Sequence, residues 1–251
     1  MIYEQPLNEQ VRLFLRLEFL FAQVNYYIEK ESCWDAQQAL KTILEILQTI
    51  DRPDLKNKLL QNLNQYLATL SQLENAEEVD KDKLNATLKK IESLIDLLHT
   101  NPKKIAHELR ENEFLNTAQQ RLYIPAGTCG FSMPPCQLWL MQDPSTRKEQ
   151  LNNWIKHFAQ LKDVVDISLK LIREATLFKS VLANGGFYQC NLDPSTTYQM
   201  IRISLPTGEN FFPEISAGRY RLAIHFFNLN INGHNTQTTN NVEFELACCK
   251  I

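Results

Sequence analysis

The spacing of apolar residues changes once along this chain, at AsnGlyGly 184–186, and that switch limits the fold more than any other feature. Before it, apolar side chains recur at steps of three and four. One series is Leu40, Ile43, Leu44, Leu47 and Ile50; a second is Leu55, Leu59, Leu63, Tyr66, Leu67 and Leu70; a third is Leu84, Leu88, Ile91, Ile95 and Leu98. Such steps lay one apolar stripe along each of several helices. SerCysTrpAsp at 32–35 offers a start resembling a capping box, with Asp35 in the glutamate position. AspArgProAsp at 51–54 ends that helix and opens the next, since proline suits a first turn. The acidic stretch 74–80 reads as a loop, and further helices are expected over 103–122, 145–160 and 163–183.

After the switch the period is two. Residues 198–205, 219–227 and 241–248 alternate, with Gly208, Gly218 and Gly233 in their turns, as strands do. The Asn/Thr-rich segment 228–241 reads either as a long, mobile hairpin connection or as a disordered loop. Two outlying pieces, 2–5 and 123–132, also read as strands, and recruiting them helps a thin sheet bury one face. The expected fold class is α+β: a mainly α-helical bundle domain (8–120 and 134–184) with a small, discontinuous antiparallel β domain (1–7, 121–133 and 185–251). The stripe from Leu84 to Leu98 fits a dimer seam and an intradomain core equally well.

Composition narrows the chemistry. Net charge is −3, and Lys/Arg against Asp/Glu run 22 to 24 before residue 187 and 4 to 5 after it. This is no basic excess, so general nucleic-acid binding is not expected, though a local patch stays open. MetIleTyrGluGlnProLeuAsnGluGln at 1–10 holds no signal-like n-region, and no apolar run reaches the roughly 18 residues of a membrane span, so a cytoplasmic chain is expected. The six cysteines lack any C-x-x-C, which suits reduced thiols. The spacing of Cys129 and Cys136 gives only a weak zinc signal without a second pair. Phosphate-loop and nucleophile-elbow motifs do not occur, and the five histidines lie far apart. Neither catalytic residues, metal nor cofactor are expected.

The first helix poses the functional question. On a wheel of residues 9–24, Glu9, Arg12, Arg16 and Gln23 share a narrow stripe. Leu13, Leu17, Leu20, Phe21 and Val24 flank it on one side, and Leu15, Phe19 and Ala22 on the other. Either both arginines reach solvent or pair internally, with Glu9 for example, or they line a crevice between two packing partners. Strand alternation turns Ile201, Ile203 and Leu205 inward and Arg202 outward. It likewise turns Tyr220, Leu222, Ile224 and Phe226 inward, leaving Arg219, Arg221 and His225 outside with Glu243 and Glu245. With Arg121 before an expected strand, these cations suggest a basic interdomain groove for a carboxylate-bearing peptide.

Several stretches resemble the ZapD family of bacterial Z-ring-associated cell-division proteins. They are TyrGluGlnProLeuAsnGlu (3–9) leading into LeuArgLeuGluPheLeu (15–20), GlnArgLeuTyrIleProAlaGlyThrCys (120–129), AsnGlyGlyPheTyrGln (184–189), PheProGluIleSer (212–216) and GluPheGluLeuAlaCysCys (243–249). The resemblance runs in order over essentially the whole chain. It implies a helical domain that dimerises, a small β domain, and a non-catalytic activity at mid-cell: binding the C-terminal tail of FtsZ and cross-linking its filaments. Carried over by motif, Arg16 and Arg221 are the implied tail contacts. Where the family has an arginine after its LeuArgGlu motif and a histidine before its LeuTrpLeu-like stretch, this chain has Glu113 and Gln137. The implied pocket is then rebuilt from residues such as Arg110, Arg121 or Arg202. The alternative is an adaptor whose groove takes another acidic peptide or a nucleic acid.

Overall fold

The structure, a computed structural model, describes residues 1–73, 80–101 and 103–250. Apart from Asp80, the acidic stretch expected as a loop lies outside the described residues. Two compact units emerge: Leu13–Ser168, and Met1–Arg12 together with Leu169–Ile251.

The first unit is helical. Helix α1 (Glu9–Ile28) enters it from the N-terminal segment, followed by α2 (Cys33–Thr49), α3 (Leu55–Ser71), α4 (Lys81–Thr100), α5 (His107–Arg110), α6 (Glu113–Arg121), α7 (Pro134–Leu140) and α8 (Pro144–Lys156). Helix α9 (Ala159–Glu174) runs on into the other unit's sequence. Short polar side chains start α2, α4 and α6 by accepting from unpaired first-turn amides. Ser32 accepts from Trp34 N at 3.2 Å, Asp80 from Asp82 N and Lys83 N at 3.1 Å each, and Asn112 from Leu115 N at 3.0 Å. The three-and-four stripes form the core, with Ile43, Leu59, Leu63 and Ile91 fully buried. Leu84, Leu88 and Leu98 are buried within the single chain where α4 packs on α3, so this stripe is core rather than an open seam.

Two expectations fail. Residues 123–132 form no strand. Consecutive turns instead close Ile124 N on Arg121 O (3.0 Å), Gly127 N on Ile124 O (2.8 Å), Cys129 N on Ala126 O (2.9 Å) and Ser132 N on Cys129 O (3.0 Å). Backbone groups that a strand offers to a neighbour are thus satisfied locally, and the segment belongs to the helical unit. Residues 163–183 are not one helix, because α9 ends at Glu174 and Lys179–Ala183 is a strand. Helix α7, between Met133 and Met141, was not anticipated; its two prolines open its first turn.

The second unit is a sandwich of two antiparallel sheets. Strands β1 (Ile2–Pro6), β2 (Lys179–Ala183), β4 (Tyr198–Ser204) and β8 (Val242–Lys250) form one in the order β1-β4-β8-β2. Strands β3 (Phe187–Asn191), β5 (Phe211–Ala217) and β6 (Arg221–Asn228) form the other in the order β3-β6-β5, with β7 (Thr236–Gln237) also on β6. Pro213 sits on the edge strand β5, where its missing N–H costs no ladder bond. The N-terminal strand is recruited as expected: Tyr3 lies opposite Ile203, and the Met1 amino group donates to Leu205 O at 2.6 Å. Inner-face residues Ile201, Ile203, Phe244, Leu222, Ile224 and Phe226 fill one core. Tyr220 departs from its expected inward position and is 60% exposed, because β6 starts only at Arg221.

At the switch point Gly185 and Gly186 both have positive φ (57° and 71°), a tight reversal that only glycines take without strain. A side chain on Gly186 would also strike Thr238 O. The connection 228–241 is anchored rather than loose. β7 pairs with Phe227 and Asn228, and Thr238 N donates to Phe226 O at 2.9 Å with Thr238 buried.

Candidate interaction surfaces

Helix α1 packs on one flank only. Leu13, Leu17, Phe21 and Val24 are buried, whereas Leu15 is half-buried, Ala22 is exposed and Phe19 is 66% exposed. The expectation of two buried flanks fails for that reason. Arg12 forms an ion pair with Glu9 one turn back, so the internal pairing holds for it. Arg16 is exposed and makes no ion pair among the described residues.

The remaining candidates separate by the work their guanidiniums already do. Arg110 donates to Asp51 at 2.7 Å, and Arg121 donates to Ser132 Oγ at 3.0 Å, both inside the helical unit. Arg202 lies on the outward face of the β1-β4-β8-β2 sheet, yet it is not free. Its Nε donates to Glu4 Oε1 at 2.9 Å, its Nη1 to Arg173 O at 3.1 Å, and it stands 5.0 Å from the centre of the Phe178 ring. Arg173 clamps the same carboxylate through Nε and Nη2, at 2.9 and 2.6 Å. Burial raises the pKa of Glu4, but the hydrogen bonds and charges of Arg173 and then Arg202 outweigh it and hold the group below its ordinary value.

Arg219, Arg221 and His225 belong to the other sheet. Arg221 is exposed and makes no ion pair among the described residues. Arg219 lies 5.6 Å from the centre of the Tyr220 ring. His225 sits between Phe187 (ring centres 4.6 Å apart) and Phe227 (6.5 Å), with Gln237 at 3.3 Å from its Nδ1. Because the inner faces of the two sheets meet in one core, Arg202 and Arg221 point out of opposite sides of the sandwich. Glu243 and Glu245 share the outward face of Arg202, not that of Arg221.

Sequence reasoning did not single out Glu4, Arg173 or Arg147. Arg147, 6% exposed, donates to Leu140 O at 3.0 Å, to Glu31 O at 2.7 Å and to Gln142 O, tying three carbonyls together. Among the described residues no three His, Cys, Asp or Glu side chains converge as a metal site, and no helix is long and apolar enough to cross a membrane.

These features define an α+β protein with a helical unit and a two-sheet sandwich, and with arginines left in solvent on each. Residues 15–225 match the family model ZapD, described as a cell division protein. Cell division protein ZapD of Coxiella burnetii is 42% identical over 99% of this chain and 97% of its own length. The proteins of the same name from Methylococcus capsulatus (31%; 99% and 97%) and Dechloromonas aromatica (36%; 89% and 88%) are similar too. The chain belongs to the ZapD family of cell division proteins.

Proposed function

We propose that this protein binds the C-terminal tail of FtsZ without catalysis or cofactor, and that as a homodimer it cross-links FtsZ filaments in the cytoplasm at mid-cell. Membership of a cell-division family supports the process. The observation that carries the tail contact is the contrast among the candidate cations. Arg12, Arg110 and Arg202 are held by carboxylates, while Arg16 and Arg221 are exposed without an ion pair among the described residues. An unpaired guanidinium retains its full donor fork for an incoming carboxylate. His225 shares the outward face of β6 with Arg221 and Arg219 lies two residues before it, so both are its proposed supporting contacts.

Bivalency follows from the geometry of a polymer. One copy with one tail site decorates a filament, whereas two copies related by symmetry bridge filaments and gain by effective concentration. The helical unit leaves Phe131 (93%), Leu138 (70%) and Met141 (75%) in water, the kind of surface a second copy covers.

The test is co-sedimentation with assembled FtsZ, with and without its terminal tail, beside a DNA-shift assay. The reading expects tail-dependent bundling, screened away by about 0.5 M salt. Arg16→Glu with Arg221→Glu removes bundling while helicity and dimer mass persist. Tail-independent bundling, or bundling by the doubly reversed protein, overturns the reading.

A further inference from the structure

Within the helical unit, the first turns of α2 and the turns 122–128 enclose a cleft of about 430 Å³. Its exposed apolar residues include Trp34 (76% exposed) and Ile124 (53%). Large apolar side chains scattered singly on a surface need no explanation, but two converging on one concavity do. Its charged lining consists of two cations, Lys41 and Arg121, with no carboxylate among the residues that form it. Neither cation is neutralised strongly. Lys41 stands 4.0 Å from Glu45, both side chains a third or more exposed, a pair worth little in water. Arg121 donates to an uncharged hydroxyl, that of Ser132.

The cleft is also preformed. Gln37 Nε2 donates to Thr128 Oγ1 at 2.8 Å, pinning the turns to α2. A side chain on Gly127 would strike Arg121 O, so the wall closes tightly there, and Ala126 holds a left-handed conformation (φ 56°). A rigid concavity loses little entropy when it is filled. A second cleft of similar size in this unit suits a carboxylate less, because a carboxylate, Glu108, already lines it beside Lys103 and His157.

We infer that this cleft is a peptide-binding site: it seats an apolar side chain against Trp34 and Ile124 while Arg121 and Lys41 take a carboxylate next to it in the same chain. The inference rests on the proposed function in one respect, that the acidic peptide is the filament tail. It adds a contact made by the helical unit alone, separate from Arg16 and Arg221.

The experiment is fluorescence anisotropy of a labelled synthetic FtsZ C-terminal peptide with the full-length protein. Trp34→Ala and Ile124→Ser each weaken binding about fivefold or more. Both side chains are solvent-exposed, so circular dichroism stays at the wild-type level. Ile231→Ser, 87% exposed and off the cleft, leaves affinity unchanged. Replacing the peptide's carboxylates by amides reduces the penalty of Arg121→Gln, as expected if that arginine meets a carboxylate. Equal affinity of wild type, Trp34→Ala and Ile124→Ser overturns the cleft and leaves the proposed function standing. Absence of any tail binding by the wild type overturns both.

Discussion

Glu4 and Arg202 stand directly opposite each other on β1 and β4, joined at 2.9 Å, with Arg173 closing on the same carboxylate from the end of α9. The three side chains are 12 to 26% exposed, so this is a largely desolvated triad. The Arg173 carbonyl also accepts from Arg202, which adds a backbone acceptor to the triad. The triad ties the N-terminal strand and the end of α9 to the sandwich.

Glu4→Gln therefore costs stability. Two arginines lose a shared charged acceptor in a poorly hydrated place, a penalty of about 2–4 kcal/mol. Urea unfolding monitored by circular dichroism measures it. A midpoint within error of the wild type would show the triad to be dispensable.

The same carboxylate makes stability depend on pH with a definite sign. Its folded-state pKa lies below the ordinary glutamate value of 4.5, so its contribution is complete above that value and fades as pH falls toward the lowered one. The gap between wild type and Glu4→Gln in urea midpoint stays constant above about pH 5 and narrows below about pH 4.5. A gap that widens on acidification would reverse the assignment.

Arg202 and Arg221 respond differently to truncation. Arg202→Ala lowers thermal stability, because it strands part of the Glu4 charge and exposes the Phe178 ring. Arg221→Ala leaves the melting temperature nearly unchanged and weakens tail binding. Thermal melts and peptide anisotropy on both variants check this, and the opposite pattern would exchange their roles.

The thiols divide by burial. Cys33 is exposed, whereas Cys136 and Cys249 are fully buried. Burial pushes the Cys248 and Cys249 thiols up to about 11 and raises Cys136 as well. With a disulfide reagent at about pH 8, Cys33 reacts fast, half-buried Cys248 more slowly, and Cys136 and Cys249 only as fast as the fold opens. Peptide mapping of the labelled sites checks the order.

Much of the fold was legible because it rests on local rules. The stripe from Leu55 to Leu63 and the alternation through Ile201, Ile203 and Leu205 are periodicities that burial enforces, and both reach the core. Strands β3 and β5 were missed because they are short and only half-buried, with Pro213 interrupting the second. The segment 123–132 misled because its apolar residues suit a strand while Pro125, Ala126 and Gly127 bend it into turns. Strand β2 was read as helix because a short apolar run fits either period until a partner, here β8, takes its backbone bonds.

The sequence by itself determined that a helical stretch precedes a strand-forming one, which apolar stripes reach the core and which cations could face water, since each follows from spacing and side-chain chemistry within a few residues. Tertiary structure alone decided what those cations do. Arg202 and Arg221 occupy outward positions of equal standing in the alternation, yet one meets Glu4 and Arg173 and the other meets solvent. An ion pair joining residues 4, 173 and 202 depends on chain segments brought together only by folding, and no local pattern carries that information.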